Sequence, residues 1–187
     1  MSAREKIIDY NEHSDEIEKW LALKGEIKYL RFAELLMKND IPIKWEILRD
    51  IYRYDKRLLV NAFKYLSFFE EFLRAQIWNI NKTSYKKVGK CFLSEVIEEI
   101  LMIKDKIDYN GFSITALEQN NSKINYLRNR IAHNKIILES KKDGANIKDI
   151  LNAFKTCLPE SYQSGFASDI NKCACRLNIP SKLQICI

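Results

Sequence analysis

The strongest constraint on the fold is an apolar repeat between residues 55 and 79. Apolar residues recur there at intervals of three and four, which places them on one side of an α-helix. The repeat consists of Leu58, Leu59, Phe63, Leu66, Phe69, Leu73 and Ile77. Asp55 comes just before it and is a suitable N-cap. The pattern predicts a long helix over 55–79 whose apolar side forms the centre of the core.

The remainder of the chain has the same helical bias. Five glycines and three prolines are few for 187 residues. Spacing and end signals predict further helices over about 14–39, 45–51, 91–107, 122–140, 146–157 and 159–177, with loops at 80–90 and 109–121. Gly25 weakens the first of these helices in its middle. We expect one all-α domain over 1–187, in which the acidic amino-terminal part packs against the rest and has no functional role of its own.

The cysteines and the hydropathy of the chain bear on location and cofactors. Five cysteines form no regular framework, which favours the reduced thiols of a cytosolic protein. Cys173 and Cys175 lack the second pair of a zinc site, and no glycine-rich phosphate loop occurs, so we expect no metal and no cofactor. No apolar run approaches the ~18 residues of a membrane span, and residues 1–12 lack the apolar region of a signal peptide. These features predict a cytoplasmic protein with no membrane partner.

Positive charge is concentrated in one segment. The formal net charge is +6, yet residues 1–50 have nine Lys/Arg and eleven Asp/Glu, whereas residues 121–142 have six and one. A local field of this sign attracts polyanions, of which nucleic acid is the commonest. A solvated face on a basic protein explains the charge equally well.

The basic segment contains Arg128, Asn129 and His133, and the last is one of only two histidines. At about 100° per residue, Asn129 and His133 share one side of a helix, nearly opposite an apolar stripe. The stripe consists of Ile124, Leu127, Ile131 and Leu138, while Tyr126, Ile136 and Ile137 come beside His133 on the outer side. That is more apolar area than a solvated face normally has, so we expect a partner chain to cover it.

These residue types suit the cleavage of RNA without a metal ion. The reaction needs a base for the 2′-hydroxyl, an acid for the leaving 5′-oxygen and positive charge on the phosphate. Histidine titrates near neutral pH, at about 6.5, and arginine matches phosphate oxygens with a permanently charged fork. One histidine does not readily serve as base and acid at once. A dimer that brings together two copies of Arg128 and His133 supplies both.

Two stretches carry a family resemblance. The Arg128-Asn129-x-x-x-His133 motif resembles the Arg-x4-His signature of HEPN ribonucleases, and the chain most resembles the Abi-like, abortive-infection proteins of that superfamily. The stretch Asp55-Lys56-Arg57-Leu58 is similar to their Asp-x-x-Leu opening, and Glu70 with Arg74 is similar to their Glu-x-x-x-Arg helix. The resemblance covers about residues 50–140.

The resemblance implies a HEPN-type helical bundle, here with additional amino- and carboxy-terminal helices. It implies a metal-independent endoribonuclease of a toxin or phage-defence type, with a composite site in a homodimer and a possible antitoxin or regulatory partner. Arg128 and His133 would be catalytic, and Asn129 would be the polar second position of the motif. Lys135 stands where toxins regulated by a nucleotidyltransferase antitoxin have a tyrosine, which argues against that mode of control.

Several further residues are candidates for supporting roles. Glu70 and Arg74, four positions apart, form either an ordinary helix salt bridge or a pair that orients the catalytic residues. Lys135 is predicted to contact RNA, and Arg130 either contacts RNA or pairs structurally within the chain. Lys86 and Lys87 either hold the RNA backbone or belong to an ordinary solvated loop. Two other functions remain open: a noncatalytic RNA-binding module, and an assembly subunit that docks another protein.

Overall fold

The computed structural model describes residues 2–82, 89, 91–107 and 111–187, and over these residues the fold is all-α. Its helices are α1 (Ala3–Lys6), α2 (Tyr10–Lys24), α3 (Glu26–Lys38), α4 (Trp45–Asn81), α5 (Leu93–Met102), α6 (Ile114–Ala132), α7 (Ile147–Cys157) and α8 (Glu160–Asn171). Short 3-10 helices cover Lys104–Lys106, Lys172–Ala174 and Ser181–Leu183. The only strands in the described part are β1 (Lys141–Lys142) and β2 (Ala145–Asn146), which pair antiparallel.

The chain forms two compact units, one of Met1–Leu58 with Lys172–Ile185 and one of Leu59–Asn171 with Cys186–Ile187. The single domain expected over 1–187 stays a prediction. Among the described residues, every helix is either too short or too polar to cross a lipid bilayer.

The first unit has an aromatic core. Tyr29 stacks on Tyr52 with ring centroids 5.3 Å apart, and Trp45, which is completely buried, lies 5.8 Å from Tyr29. The carboxy-terminal segment joins this unit through polar contacts to α4. Asp50 accepts a hydrogen bond from the backbone N–H of Asn178 at 2.8 Å, and the hydroxyl oxygen of Tyr54 accepts one from the N–H of Ile185 at 2.8 Å.

The second unit is built around phenylalanines of α4, α7 and α8. Phe154 contacts Phe69 and Phe166 edge to face, with centroids 5.7 and 5.3 Å apart. Gly165 allows α8 to approach α4 closely, because a Cβ at that position would lie 2.9 Å from the hydroxyl of Tyr65. Since α6 packs mainly on α7 and also on α5, this core determines where the basic segment lies.

The long helix differs from its prediction at both ends. Nothing in residues 52–54 interrupts it, so the two helices expected over 45–51 and 55–79 form one helix, α4. Asp55 is therefore not an N-cap; it lies inside α4 and is buried. Phe63, expected in the core, is 57% exposed, because its position falls at the solvent edge of the apolar stripe.

Other boundaries also differ. The predicted helix over 14–39 is two helices, because Gly25 adopts φ +84° and ψ 133°, a backbone conformation that essentially only glycine takes. The helix expected over 91–107 is α helical only over α5, and the one expected over 159–177 ends at Asn171. The predicted helix over 146–157 is confirmed as α7, with Asn146 as its N-cap. Lys86 and Lys87 lie outside the described residues.

The basic segment shows the largest shift. We expected a loop over 109–121 and a helix over 122–140, whereas α6 begins at Ile114 and ends at Ala132. The side chain of Ser113 provides the N-cap by accepting a hydrogen bond from the N–H of Ala116 at 3.1 Å. Leu117, Ile124, Leu127 and Ile131 form the buried side of the helix. Leu138, expected on this stripe, lies beyond the helix.

Candidate active site at the end of helix α6

Helix α6 ends at the predicted motif through a defined backbone turn. Asn134 adopts the left-handed conformation, with φ +49°. Its N–H donates to the carbonyl of Ile131 at 3.0 Å, and the N–H of Lys135 donates to the carbonyl of Arg130 at 2.9 Å. This pair of bonds is the Schellman motif, in which asparagine is an accepted alternative to glycine. His133 is therefore the C-cap residue of α6 rather than a residue of its interior.

Arg130 and Tyr126 secure the chain just after this turn. The Arg130 guanidinium donates to the carbonyl of Ile136 and, at 3.4 Å, to the hydroxyl of Tyr126. That hydroxyl also accepts a hydrogen bond from the N–H of Lys141 at 3.2 Å. Arg130 thus forms the structural pairing that was one of the two alternatives for it in the sequence. Its predicted contact with RNA stays a prediction.

The apolar residues that follow the turn are not on the surface. Ile136 is 3% exposed and Ile137 is completely buried, because the helix ends before them and the chain turns back onto the core. The prediction of an outward apolar strip beside His133 is therefore wrong. The expectation that a partner chain covers this strip therefore loses its basis, which was the exposed apolar area.

A charged cluster lies between α4 and α6. The Oε1 atom of Glu70 is 3.9 Å from Nε of Arg128, and its Oε2 atom is 3.6 Å from an Nη atom of Arg74. Arg74 also donates to the carbonyl of Cys91 at 2.8 Å. Both Glu70 distances exceed the 2.7–2.9 Å that is usual for charge-assisted hydrogen bonds, so these are ion pairs held at some distance. We call Glu70, Arg74 and Arg128 the Glu70 cluster.

Part of the Glu70 cluster could be predicted from the sequence. The spacing of Glu70 and Arg74 on one helix predicted their pair, and the structure contains it. Glu70 also contacts Arg128 of the motif, and the role of the pair in orienting the catalytic residues stays a prediction. Spacing within one helix could not predict the contact between Glu70 and Arg128, because they lie on different helices. It could not predict the bond from Arg74 to the carbonyl of Cys91 either, because every residue has a carbonyl group.

Asn129, His133 and Lys135 are exposed. Among the described residues, the imidazole of His133 takes part in no hydrogen bond or ion pair, and neither does the ammonium group of Lys135. The outward direction predicted for Asn129 and His133 is thus found in the structure. The arrangement thus has an exposed imidazole five residues along the chain from an arginine that lies 3.9 Å from the carboxylate of Glu70.

The described residues contain no group of three or more His, Cys, Asp or Glu side chains that could bind a metal ion. Comparison with protein-family models, with curated proteins and with solved structures finds no match to this chain. The case for a function therefore depends on the residues of the site and on the motif that they form.

Proposed function

We propose that this chain is a metal-independent endoribonuclease of the HEPN, Abi-like kind, acting as a toxin or phage-defence effector. The observation that supports it best is the exposed imidazole of His133 at the C-cap of α6, five residues after Arg128, whose guanidinium forms an ion pair with Glu70. The rest of the basic segment adds Lys135 as an exposed cation and Asn129 as an exposed amide.

The chemistry follows from these groups. Arg128 contacts nonbridging oxygens of the scissile phosphate and stabilises the negative charge of the pentacoordinate transition state. A neutral His133 takes the proton of the 2′-hydroxyl as its oxygen bonds to phosphorus. The bond from phosphorus to the 5′-oxygen breaks, and a protonated histidine gives that oxygen its proton. The products are a 2′,3′-cyclic phosphate and a free 5′-hydroxyl.

A second histidine is needed for the last proton transfer, and we propose that another copy of this chain supplies it. The reason is chemical: each motif has one histidine, and the other histidine of the chain, His13, lies outside the motif with its Nε2 atom 3.8 Å from a carboxylate oxygen of Asp9. Asn129 either binds a nonbridging oxygen or orients the imidazole. We further propose that a regulatory partner restrains the activity in the cell.

The test is cleavage of total cellular RNA by the purified protein in EDTA. The wild type is compared with His133→Ala, and His13→Ala serves as the matched control because it removes the other histidine of the chain. We expect 2′,3′-cyclic phosphate ends from the wild type and the control, and a loss on the order of 10³-fold in His133→Ala. Light scattering establishes that all three proteins have the same mass.

Other outcomes would replace the proposal. Cleavage that survives in His133→Ala means that the site is elsewhere. Salt-sensitive RNA binding without new ends identifies the noncatalytic RNA-binding module of the same fold. A protein that ignores RNA and elutes with another protein is the assembly subunit.

A further inference from the structure

The first unit contains a second cationic surface. Lys24 at the end of α2 and Arg53 and Lys56 on α4 lie over the rings of Trp20 and Tyr52. Lys28 on α3 lies beside Lys56. We call these four cations and two rings the basic–aromatic patch. Residues 1–50, which contain Trp20, Lys24 and Lys28, were expected only to pack, and they have more acidic than basic side chains. The fold nevertheless gathers several of the basic ones.

The ring contacts define the geometry of the patch. Nζ of Lys24 lies 5.9 Å from the centroid of Trp20, and the Cζ atom of Arg53 lies 5.6 Å from the same ring. Nζ of Lys56 lies 5.8 Å from the centroid of Tyr52, whose ring is 6.4 Å from that of Trp20. The faces of both aromatic rings are thus occupied by cations of the same chain.

The cations are also close to one another. Burial, followed by the neighbouring charge of Lys28 and a smaller effect of Lys24, lowers the pKa of Lys56 below its usual range. Asp50 pairs with Arg53 at 3.3 Å, and Asp55 partly counters the effect on Lys56. Both carboxylates are buried, whereas Lys24 is exposed and the other three cations are partly exposed, so all four reach the surface.

Like charges at this spacing cost folding free energy, and a bound anion would offset that cost. Gly25 ends α2 directly after Lys24, and Lys28 lies in α3, so these two lysines belong to different helices. Cations distributed over three helices suit a ligand with several negative charges in a row. A single small anion would contact only some of them.

We propose that the basic–aromatic patch binds the phosphate backbone of an RNA strand. The choice of RNA as the polyanion rests on the proposed function; the choice of phosphodiester chemistry rests on the patch. A lipid surface is the competing ligand, since Leu23 and Ile27 beside these lysines are 67% and 75% exposed. RNA is favoured because Trp20, half-buried against Tyr52 and covered by cations, is not available for insertion into a bilayer.

The experiment measures binding of a 20-nucleotide uridine RNA by fluorescence anisotropy as a function of salt. His133→Ala is the parent protein, so that binding is measured without cleavage. Lys24→Gln/Lys28→Gln is compared with Lys38→Gln/Lys44→Gln, which removes two exposed lysines of the same unit. We expect the slope of log Kobs against log salt to fall by roughly 1.4 in the first variant, about 0.7 per lost contact, and to stay unchanged in the second.

Equal slopes in the two variants would overturn the proposal, as would an absence of RNA binding by the parent. So would a Lys24→Gln/Lys28→Gln protein that keeps RNA binding but no longer sediments with phosphatidylserine vesicles, since the patch would then bind lipid. Thermal melting establishes that both variants are folded. A smaller slope in Lys24→Gln/Lys28→Gln, together with no cleavage of RNA by the wild type, would support RNA binding by the patch and reject the ribonuclease. Cleavage of RNA by the wild type, together with equal slopes in the two lysine variants, would support the ribonuclease and reject the basic–aromatic patch as an RNA-binding surface.

Discussion

Two charged clusters of this protein differ in how closely their charged groups are paired and in the sign of the charge that is in excess. In the first unit, Nε of Arg4 lies 2.6 Å from Glu18, its Nη atoms lie 2.8 and 3.2 Å from Glu18 and Glu26, and Tyr10 donates to Glu18 at 2.7 Å. In the Glu70 cluster, the corresponding distances are 3.6 and 3.9 Å. The first cluster has two carboxylates for one arginine, and the second has one carboxylate for two arginines.

The difference indicates what each cluster does. Hydrogen bonds from Arg4 and Tyr10 lower the pKa of Glu18 to about 2, as expected for a carboxylate that the fold keeps ionised. In this cluster the guanidinium is engaged by two carboxylates, so it offers no cation to an anionic ligand. The Glu70 cluster has more positive than negative charge and longer contacts, so an incoming phosphate can draw Arg128 away from Glu70 at small cost. We infer that the first cluster stabilises the fold and the second serves the site.

The largest expected effect comes from a comparison of two substitutions, Arg128→Ala in the Glu70 cluster and Arg4→Ala in the first unit. Arg128→Ala should reduce RNA cleavage roughly 100-fold, because a donor to the transition-state phosphate is lost, with little change in Tm. Arg4→Ala should leave cleavage by the folded protein unchanged and lower Tm. Initial rates in EDTA and thermal melting measure the two effects. If Arg4→Ala also abolished cleavage at a temperature where it is folded, the division between the clusters would be wrong.

A smaller effect is expected from the carboxylate that holds Arg128. Glu70→Gln keeps the shape of the side chain and removes its charge, so Arg128 should be less well positioned and the cleavage rate should fall about tenfold. Glu71→Gln, an exposed neighbour on the same helix, is the matched control. Single-turnover rates of both variants measure the effect. Equal rates for Glu70→Gln and the wild type would reduce the Glu70–Arg74 pair to an ordinary helix salt bridge.

The smallest effect concerns acid stability. The folded-state pKa of Glu18 is below its ordinary value of 4.5, so its contribution to stability is present above about pH 4.5 and is lost as the pH falls toward 2. Glu18→Gln lacks this contribution at every pH. We therefore expect a difference in Tm of a few degrees between the two proteins at neutral pH, narrowing between pH 4.5 and 2. A difference that stayed constant over this range would contradict the assignment.

Sequence patterns predicted the fold class and most helices because apolar spacing reports local structure directly. They failed where a distant contact decides the outcome. Phe63 continues the apolar spacing of α4 but is exposed, since helical spacing does not tell how far around the helix the neighbouring elements reach. Residues 45–81 form one helix because packing on both parts outweighs the weak signal at Asp55 that suggested a boundary.

The site shows the same division. The outward direction of His133 and the pairing of Glu70 with Arg74 follow from spacing within one helix, and both were predictable. Ile136 and Ile137 were misplaced because helical spacing was extended beyond Ala132, past a turn that asparagine forms less commonly than glycine. The Glu70 contact with Arg128 and the patch around Trp20 join helices that are separate in sequence, so no local pattern contains them.

The backbone turn that ends α6 also bears on how firmly the imidazole is held. His133 follows the last helical residue, so it moves whenever the final turn opens, and such openings at helix ends need far less free energy than global unfolding. Three amides close this turn: those of His133, Asn134 and Lys135, bonded to the carbonyls of Asn129, Ile131 and Arg130. Their hydrogen-exchange rates therefore report the local opening equilibrium of the candidate catalytic group, separately from the stability of the rest of the protein.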